Sequence, residues 1–303
     1  MLPDVYLIGA PKAGTTSLAR WLSTHPDVYV SVPKEPFYWA SDYPKLREHY
    51  GFANLAAYEA LFANAAAAQA RHRVEGSTIY IYSETAVPDI EAALDSARFV
   101  LTLRNPVDLL VSYHRTQLVA LNESEPDFAT AWHRSLAGKL PGTDPLDSKL
   151  LDYPRIGAIG AAVSRLLSVV PRGRVHVIDF DSLRTDPGRV WSQLTSFLDI
   201  DENPVPSFTA YNVSAKMYRF PRVRRLTHRP PDALAVPIRR LRQWSRTTRM
   251  PAVAKVKKKM WRPESKPKIS PGTRAEVAEY FSSDVELLAE LVETDPSGWE
   301  NGR

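Results

Sequence analysis

The sequence predicts an α/β protein. The expected architecture is a central, mainly parallel sheet with a phosphate-loop-like strand–loop–helix and helices on both faces. Three observations predict it. Short apolar runs of strand length alternate with stretches of helical period. The first run leads straight into a loop with two glycines and then a helix. The strongest run, RFVLTLR at 98–104, is apolar on both of its faces, as strands covered on two sides are.

The elements follow in order. Residues 5–9 (VYLIG) are a buried strand, and 10–16 a Gly/Pro loop. Leu18, Trp21 and Leu22 share one helix face, so 17–25 is helical until Pro26 stops it. Residues 28–32 (VYVSV) make a second strand. Leu55, Tyr58, Leu61, Phe62 and Ala65 mark one amphipathic helix, and 77–82 reads as a strand. The run at 98–104 ends at Asn105-Pro106, and a helix follows over 107–121. Residues 156–170 read as a helix, 174–180 (RVHVIDF) as a strand and 187–198 as a helix. Within 269–299, Val277, Tyr280, Phe281, Leu287, Leu288 and Leu291 pack closing helices onto the body.

A chain of 303 residues suits one domain over 1–303, which needs no staples. No cysteine is present, which excludes disulfides, thiolate nucleophiles, iron–sulfur clusters and cysteine zinc sites. The opening MLPDVYLIGAPKAG lacks the basic and apolar regions of a secretory leader. No run of about 18 apolar residues occurs. The expected location is therefore cytoplasmic. The net charge of +5 hides an asymmetry: residues 216–268 hold 18 Lys/Arg against Asp232 and Glu264, leaving −11 for the rest. That segment has seven prolines, so it is expected to form short pieces of an insertion or cap.

GAPKAGTTS (9–17), between strand and helix, is built for a phosphate. Helix-start N–H groups are unpaired and the helix dipole favours an anion there. Thr15, Thr16 and Ser17 add hydroxyls. The nucleotide-triphosphatase pattern GxxxxGK(S/T) needs Lys where Thr15 stands, and here the cation is Lys12. Farther on, Arg104 at a strand end offers a planar fork, with Ser112 in the next helix. Glu35, before three aromatics at 37–39, is a candidate base for a hydroxyl acceptor, with Lys34 to hold it. His25 and His114 are weaker candidates.

PKAGTTSL (11–18) resembles the 5′-phosphosulfate motif of sulfotransferases that use 3′-phosphoadenosine-5′-phosphosulfate (PAPS), in their bacterial and heparan-type branch. Arg104 and Ser112 match the pair that grips the 3′-phosphate in that family, and Lys34-Glu35-Pro36 resembles its KEP segment. The resemblance spans 5–215 and 269–300. It implies binding of PAPS by Lys12, Ala13, Gly14, Thr15, Thr16, Ser17, Arg104 and Ser112, with Lys12 and Glu35 catalytic and no metal. The family's basic C-terminal loop points to 262–268 as a further phosphate contact. Three departures stand out: Leu109 where relatives often carry Arg, Gly76 where heparan-type members often carry Lys, and Ile159 where a Tyr is usual. Gly76 argues against heparan as acceptor.

The implied function is transfer of a sulfuryl group to a hydroxyl of a glycan, a lipid or glycolipid, or a secondary metabolite. Two rivals remain. One is a kinase or nucleotide triphosphatase using ATP and Mg²⁺, with Asp179 at the end of VHVID as metal ligand. The other is a non-catalytic binder at a membrane surface. IRRLRQW (238–244) and AKVKKKMW (254–261) interleave cations with bulky apolar residues. They suit peripheral contact with an anionic membrane at its inner face, attraction of a polyanionic acceptor, or a solvated cap. No nucleic-acid recognition motif is present, and no such partner is expected.

Overall fold

The computed structural model describes all residues except 143, 210–215, 249, 251–252, 254–258, 264–268, 293–298 and 300–303. The apolar runs form its centre. β1 (Val5–Gly9) is buried throughout and feeds α1 (Thr15–Leu22), after which β2 (Val28–Val30) returns to the sheet. Three short helices follow: α2 (Pro44–Tyr50), α3 (Leu55–Glu59) and α4 (Ala65–Gln69). Then come β3 (His72–Glu75), α5 (Ala86–Ala93), β4 (Arg98–Leu103), α6 (Pro106–Ala120) and α7 (Phe128–Leu136). α8 (Tyr153–Gly157), α9 (Ile159–Val169), β5 (Val175–Asp179), α10 (Phe180–Thr185) and α11 (Pro187–Leu198) complete the body.

The five strands form one all-parallel sheet ordered β2-β3-β1-β4-β5. Alternate side chains of β1 enter two cores. Val5 and Leu7 join Leu18, Trp21, Trp191 and Leu194 under α1 and α11. Tyr6 and Ile8 join the larger opposite core with Trp132, Ile156, Val163 and Phe281. This confirms the α/β reading with helices on both faces.

Several expected elements differ in detail. Residues 77–82 are not a strand, and Tyr80–Tyr82 is a 3₁₀ turn. The slot between β1 and β2 is taken by β3, and a run buried on all sides does not reveal its period. The expected helix around Leu55–Ala65 is two, because Asn54 and Asn64 each cap a new start, accepting from Ala57 N and Ala67 N. The helix expected over 156–170 is broken between α8 and α9. There Asp284 accepts from Gly160 N (2.7 Å) and Ala161 N (2.8 Å), restarting the helix as its cap. Gly160 permits this, since a Cβ would stand 2.1 Å from the Asp284 carbonyl oxygen. Ile159 is wholly buried in the larger core.

The basic segment does form short pieces. β6 (Lys216–Tyr218) pairs antiparallel with β7 (Trp261–Pro263), and between them lie α12 (Pro221–His228) and α13 (Asp232–Thr247). α14 (Pro271–Tyr280) and α15 (Ser282–Leu291) close the described chain. Val277, Phe281 and Leu288 are buried as expected, whereas Tyr280 stays half exposed at the edge of Trp132.

Candidate active site

The site lies at the C-terminal ends of β1, β3 and β4, where the loops of a parallel sheet gather. The loop after β1 is tightly wound. Lys12 has φ +67° and Gly14 φ +90°, both left-handed, and Gly14 makes that turn without a Cβ penalty. Gly14 is also the N-cap of α1 and contributes no capping side chain, so the first N–H groups of α1 face the loop. Ala13, Thr15 and Ser17 are buried, and Thr16 is half-buried.

Arg104 reaches this loop from the end of β4. Its Nη1 donates to the Lys12 carbonyl at 2.7 Å, and its guanidinium lies 4.7 Å over the Phe180 ring. Both contacts fix the fork in place. Burial lowers the Arg104 pKa. The Lys12 ammonium is also held below the ordinary lysine value, by burial first and then by Arg104, with Arg115 adding to it and Glu35 opposing. Arg115 was not singled out in the sequence. It stands one helical turn beyond Ser112 on α6, so the three-residue spacing from the predicted serine was the available signal. Ser112 itself is half-buried, two turns into that helix.

Glu35 faces the cations from a different loop. Lys34 Nζ donates to Glu35 Oε1 at 3.2 Å and to Thr15 Oγ1 at 3.1 Å, linking candidate base and phosphate loop. The Thr78 hydroxyl donates to Glu35 Oε1 at 3.4 Å. The Lys34 chain crosses Gly76 so closely that a Cβ there would stand 2.6 Å from Lys34 Cε. The space left by the missing side chain at 76 is thus filled by a lysine from the neighbouring loop.

The structure gathers Lys12, Thr15, Arg104 and Glu35 as the sequence implied. The two histidines lie elsewhere in bonding terms. His25 Nε2 meets the Asp201 carbonyl at 3.0 Å while Nδ1 accepts from Asp27 N. His114 Nε2 meets the Glu125 carbonyl at 2.8 Å, and burial lowers its pKa. Both are structural. Asp179 spends its carboxylate accepting from Ser182 N at 2.8 Å, as the cap of α10. Most of the expected phosphate contact at 262–268 lies outside the described residues.

A family model described as the sulfotransferase domain matches residues 2–229. Among curated proteins, the bifunctional heparan sulfate N-deacetylase/N-sulfotransferase 1 of Caenorhabditis briggsae is 27% identical over 222 residues, covering 70% of this chain and 24% of that protein. The mouse heparan sulfate glucosamine 3-O-sulfotransferase 3B1 is 25% identical over 199 residues, covering 66% and 46%. The chain therefore spans about a quarter to a half of the length of these relatives. Among solved structures, a sulfotransferase from Alicyclobacillus acidocaldarius superposes with a TM-score of 0.71 at 22% identity, covering 99% of this chain and 100% of that one. Mouse sulfotransferase SULT7A1 complexed with PAP gives 0.51 at 13% identity, covering 97% and 89%. These two likenesses establish the fold.

Proposed function

The chain belongs to the sulfotransferase domain family, and on that premise we propose that it is an O-sulfotransferase using PAPS. The acceptor is a hydroxyl of a glycan, a lipid or glycolipid, or a secondary metabolite. One observation carries the reading: Arg104 donates to the Lys12 carbonyl at 2.7 Å, so two cations meet on the loop that leads into α1, whose start has no capping side chain. Such a cluster is stabilised by a multiply charged anion, and a nucleotide with separate 5′ and 3′ phosphate groups fits that donor set.

In this reading the 9–17 loop holds the 5′ end through Lys12, Thr15, Thr16, Ser17 and the backbone of Ala13 and Gly14. Arg104 and Ser112 hold the 3′-phosphate. Bound there, PAPS supplies a sulfuryl group whose bond to the 5′-phosphate oxygen breaks as an acceptor oxygen bonds to sulfur. Glu35 takes the proton from that hydroxyl. Lys12 balances the negative charge left on the phosphate oxygen. Lys34 aims Glu35 through their ion pair. The work is positioning and charge stabilisation, as in phosphoryl transfer.

A second reading concerns where the acceptor sits. α13 turns Arg242 inward and several of its apolar side chains to water. Arg242 donates to the carbonyls of His49 and Thr227, while Leu241 is 61% and Trp244 50% exposed, beside exposed Leu234 and Arg240. Exposed apolar residues in a segment rich in Lys and Arg suit an anionic membrane surface, reached peripherally from the cytoplasm. No described helix is long and apolar enough to cross a membrane. Sedimentation with vesicles of phosphatidylglycerol and phosphatidylcholine, against phosphatidylcholine alone, tests this. Equal binding to both, or to neither, removes it.

The donor is tested by thermal stabilisation with 3′-phosphoadenosine-5′-phosphate against ATP and Mg²⁺, with Arg104→Ala as control. Ligand at 100 times its Kd adds about 2.7 kcal/mol, a shift of several degrees. A shift with the bisphosphate alone, lost in Arg104→Ala, is expected. A shift only with ATP and Mg²⁺ overturns the reading and favours the kinase.

A further inference from the structure

Directly beneath the Lys34–Glu35 loop lies a buried carboxyl that the mechanism does not use. Glu75, the last residue of β3, is wholly inaccessible to solvent. Its Oε2 accepts from Tyr58 OH at 2.8 Å and from Tyr80 OH at 3.1 Å. Each tyrosine passes the contact on to one residue. Trp39 Nε1 donates to Tyr58 OH at 3.0 Å, and Trp39 N donates to Tyr80 OH at 3.0 Å. Two relays thus join one carboxyl oxygen to both ends of Trp39. Alongside, Phe37 N donates to Ser77 Oγ at 2.9 Å and Gly76 N to the Lys34 carbonyl at 2.9 Å. The loop bearing the ion pair is therefore pinned to β3 and its following turn at three successive points.

We propose that Glu75 is a positioning residue for the reaction: through Tyr58 and Tyr80 it holds Trp39, and with it the loop that presents Lys34 and Glu35 to the phosphate loop. The proposal rests on the sulfotransferase reading for its catalytic meaning, though not for its geometry. The groups facing Glu75 are Tyr6 from β1, Tyr58 from α3, and Ser77 and Tyr80 from the turn. Among the described residues no lysine, arginine or histidine pairs with it. Burial pushes its carboxyl up to about 7, against partial relief from these hydroxyls. The protonated form is thus the one that fits a site with only neutral neighbours. Ionisation near neutral pH places an uncompensated charge at the root of the loop and loosens it.

Amide hydrogen exchange at Phe37, Trp39 and Gly76, whose N–H groups donate across the loop, tests this from pH 5 to pH 8 without any ligand. Glu75→Gln keeps a neutral acceptor, whereas Glu75→Ala leaves the two tyrosine hydroxyls without one. In Glu75→Ala we expect these three amides to exchange roughly 5- to 150-fold faster at every pH, matching about 1–3 kcal/mol for an unsatisfied buried group. In the wild type, protection beyond the chemical rate falls between pH 5 and pH 8. In Glu75→Gln it stays high and flat. Glu75→Gln behaving like Glu75→Ala, or Glu75→Ala exchanging like the wild type, overturns the proposal. So does a wild-type pH profile as flat as that of Glu75→Gln. Stabilisation by 3′-phosphoadenosine-5′-phosphate is measured on the same samples. Its absence alongside the expected exchange pattern sinks the sulfotransferase reading and leaves the anchoring role intact.

Discussion

The two cationic regions of this molecule are built in opposite ways. At the end of the sheet a few cations are each fixed: Arg104 by a carbonyl and an aromatic ring, Lys34 by a hydroxyl and a carboxylate. In 216–263 the cations are many, and some are consumed as struts. Arg224 donates to the Val119 carbonyl and Arg229 to that of Leu121, both at the C-terminal end of α6, where the helix dipole favours positive charge. On the proposed function, charge density therefore does not locate the reactive site. Convergence of a few held cations on a helix start does, because a preorganised donor needs no reorganisation when charge develops.

A core tryptophan and a lysine of the phosphate loop test the contrast at its widest. Trp191 is fully buried beneath the sheet, and Trp191→Ala should cost about 3–5 kcal/mol by urea denaturation. A loss under about 1 kcal/mol would show that this core does not carry the sheet. At the site, Lys12→Ala should slow sulfuryl transfer at saturating PAPS by about 10²–10³-fold, or 2.7–4 kcal/mol of barrier, with little change in stability. A comparable slowing from single alanine substitutions at exposed Arg240 would erase the distinction between the two regions.

The pH response of Glu75 sharpens the comparison further. A buried acid raised from 4.5 to about 7 contributes stability that is complete below about 4.5 and lost as pH rises through 7. Relative to Glu75→Gln, the wild type should lose about 3 kcal/mol between pH 4.5 and pH 8, at roughly 1.4 kcal/mol per pH unit. Parallel stability curves for the two proteins would refute it. The smallest effect belongs to the basic segment. Trp244→Ala should alter stability by no more than about 0.5 kcal/mol, yet weaken sedimentation with anionic vesicles. A loss of several kcal/mol would mean that α13 packs as core.

Much of the site could be read along the chain because its phosphate half is local. Strand, glycines, Lys12 and three hydroxyls lie within thirteen residues, and local backbone geometry makes the proposed anion site. Arg104 was legible because a strand end followed by Asn-Pro fixes where the chain turns. The base side was less legible. Glu35 could be named, but Thr78, which donates to it, and Thr15, which accepts from Lys34, come from other loops. The strand expected at 77–82 is absent, and a segment buried on every side shows neither period two nor period 3.6. The break between α8 and α9 was invisible because its cause, Asp284, lies 124 residues beyond Gly160.

By itself, then, the sequence determined the alternation of strands and helices, the phosphate loop after the first strand, and the charge divide between body and basic segment. Those rest on periodicity, glycine placement and composition, which act over a few residues. Only the tertiary structure decided that Lys34 would fill the space over Gly76, that Glu75 would anchor the base-bearing loop, and that α13 would turn several of its apolar side chains to water. Each depends on which distant groups share one volume. A single buried carboxyl or a neighbouring carbonyl can outweigh local preference there, because inside a protein an unpaired polar group costs more than a displaced side chain.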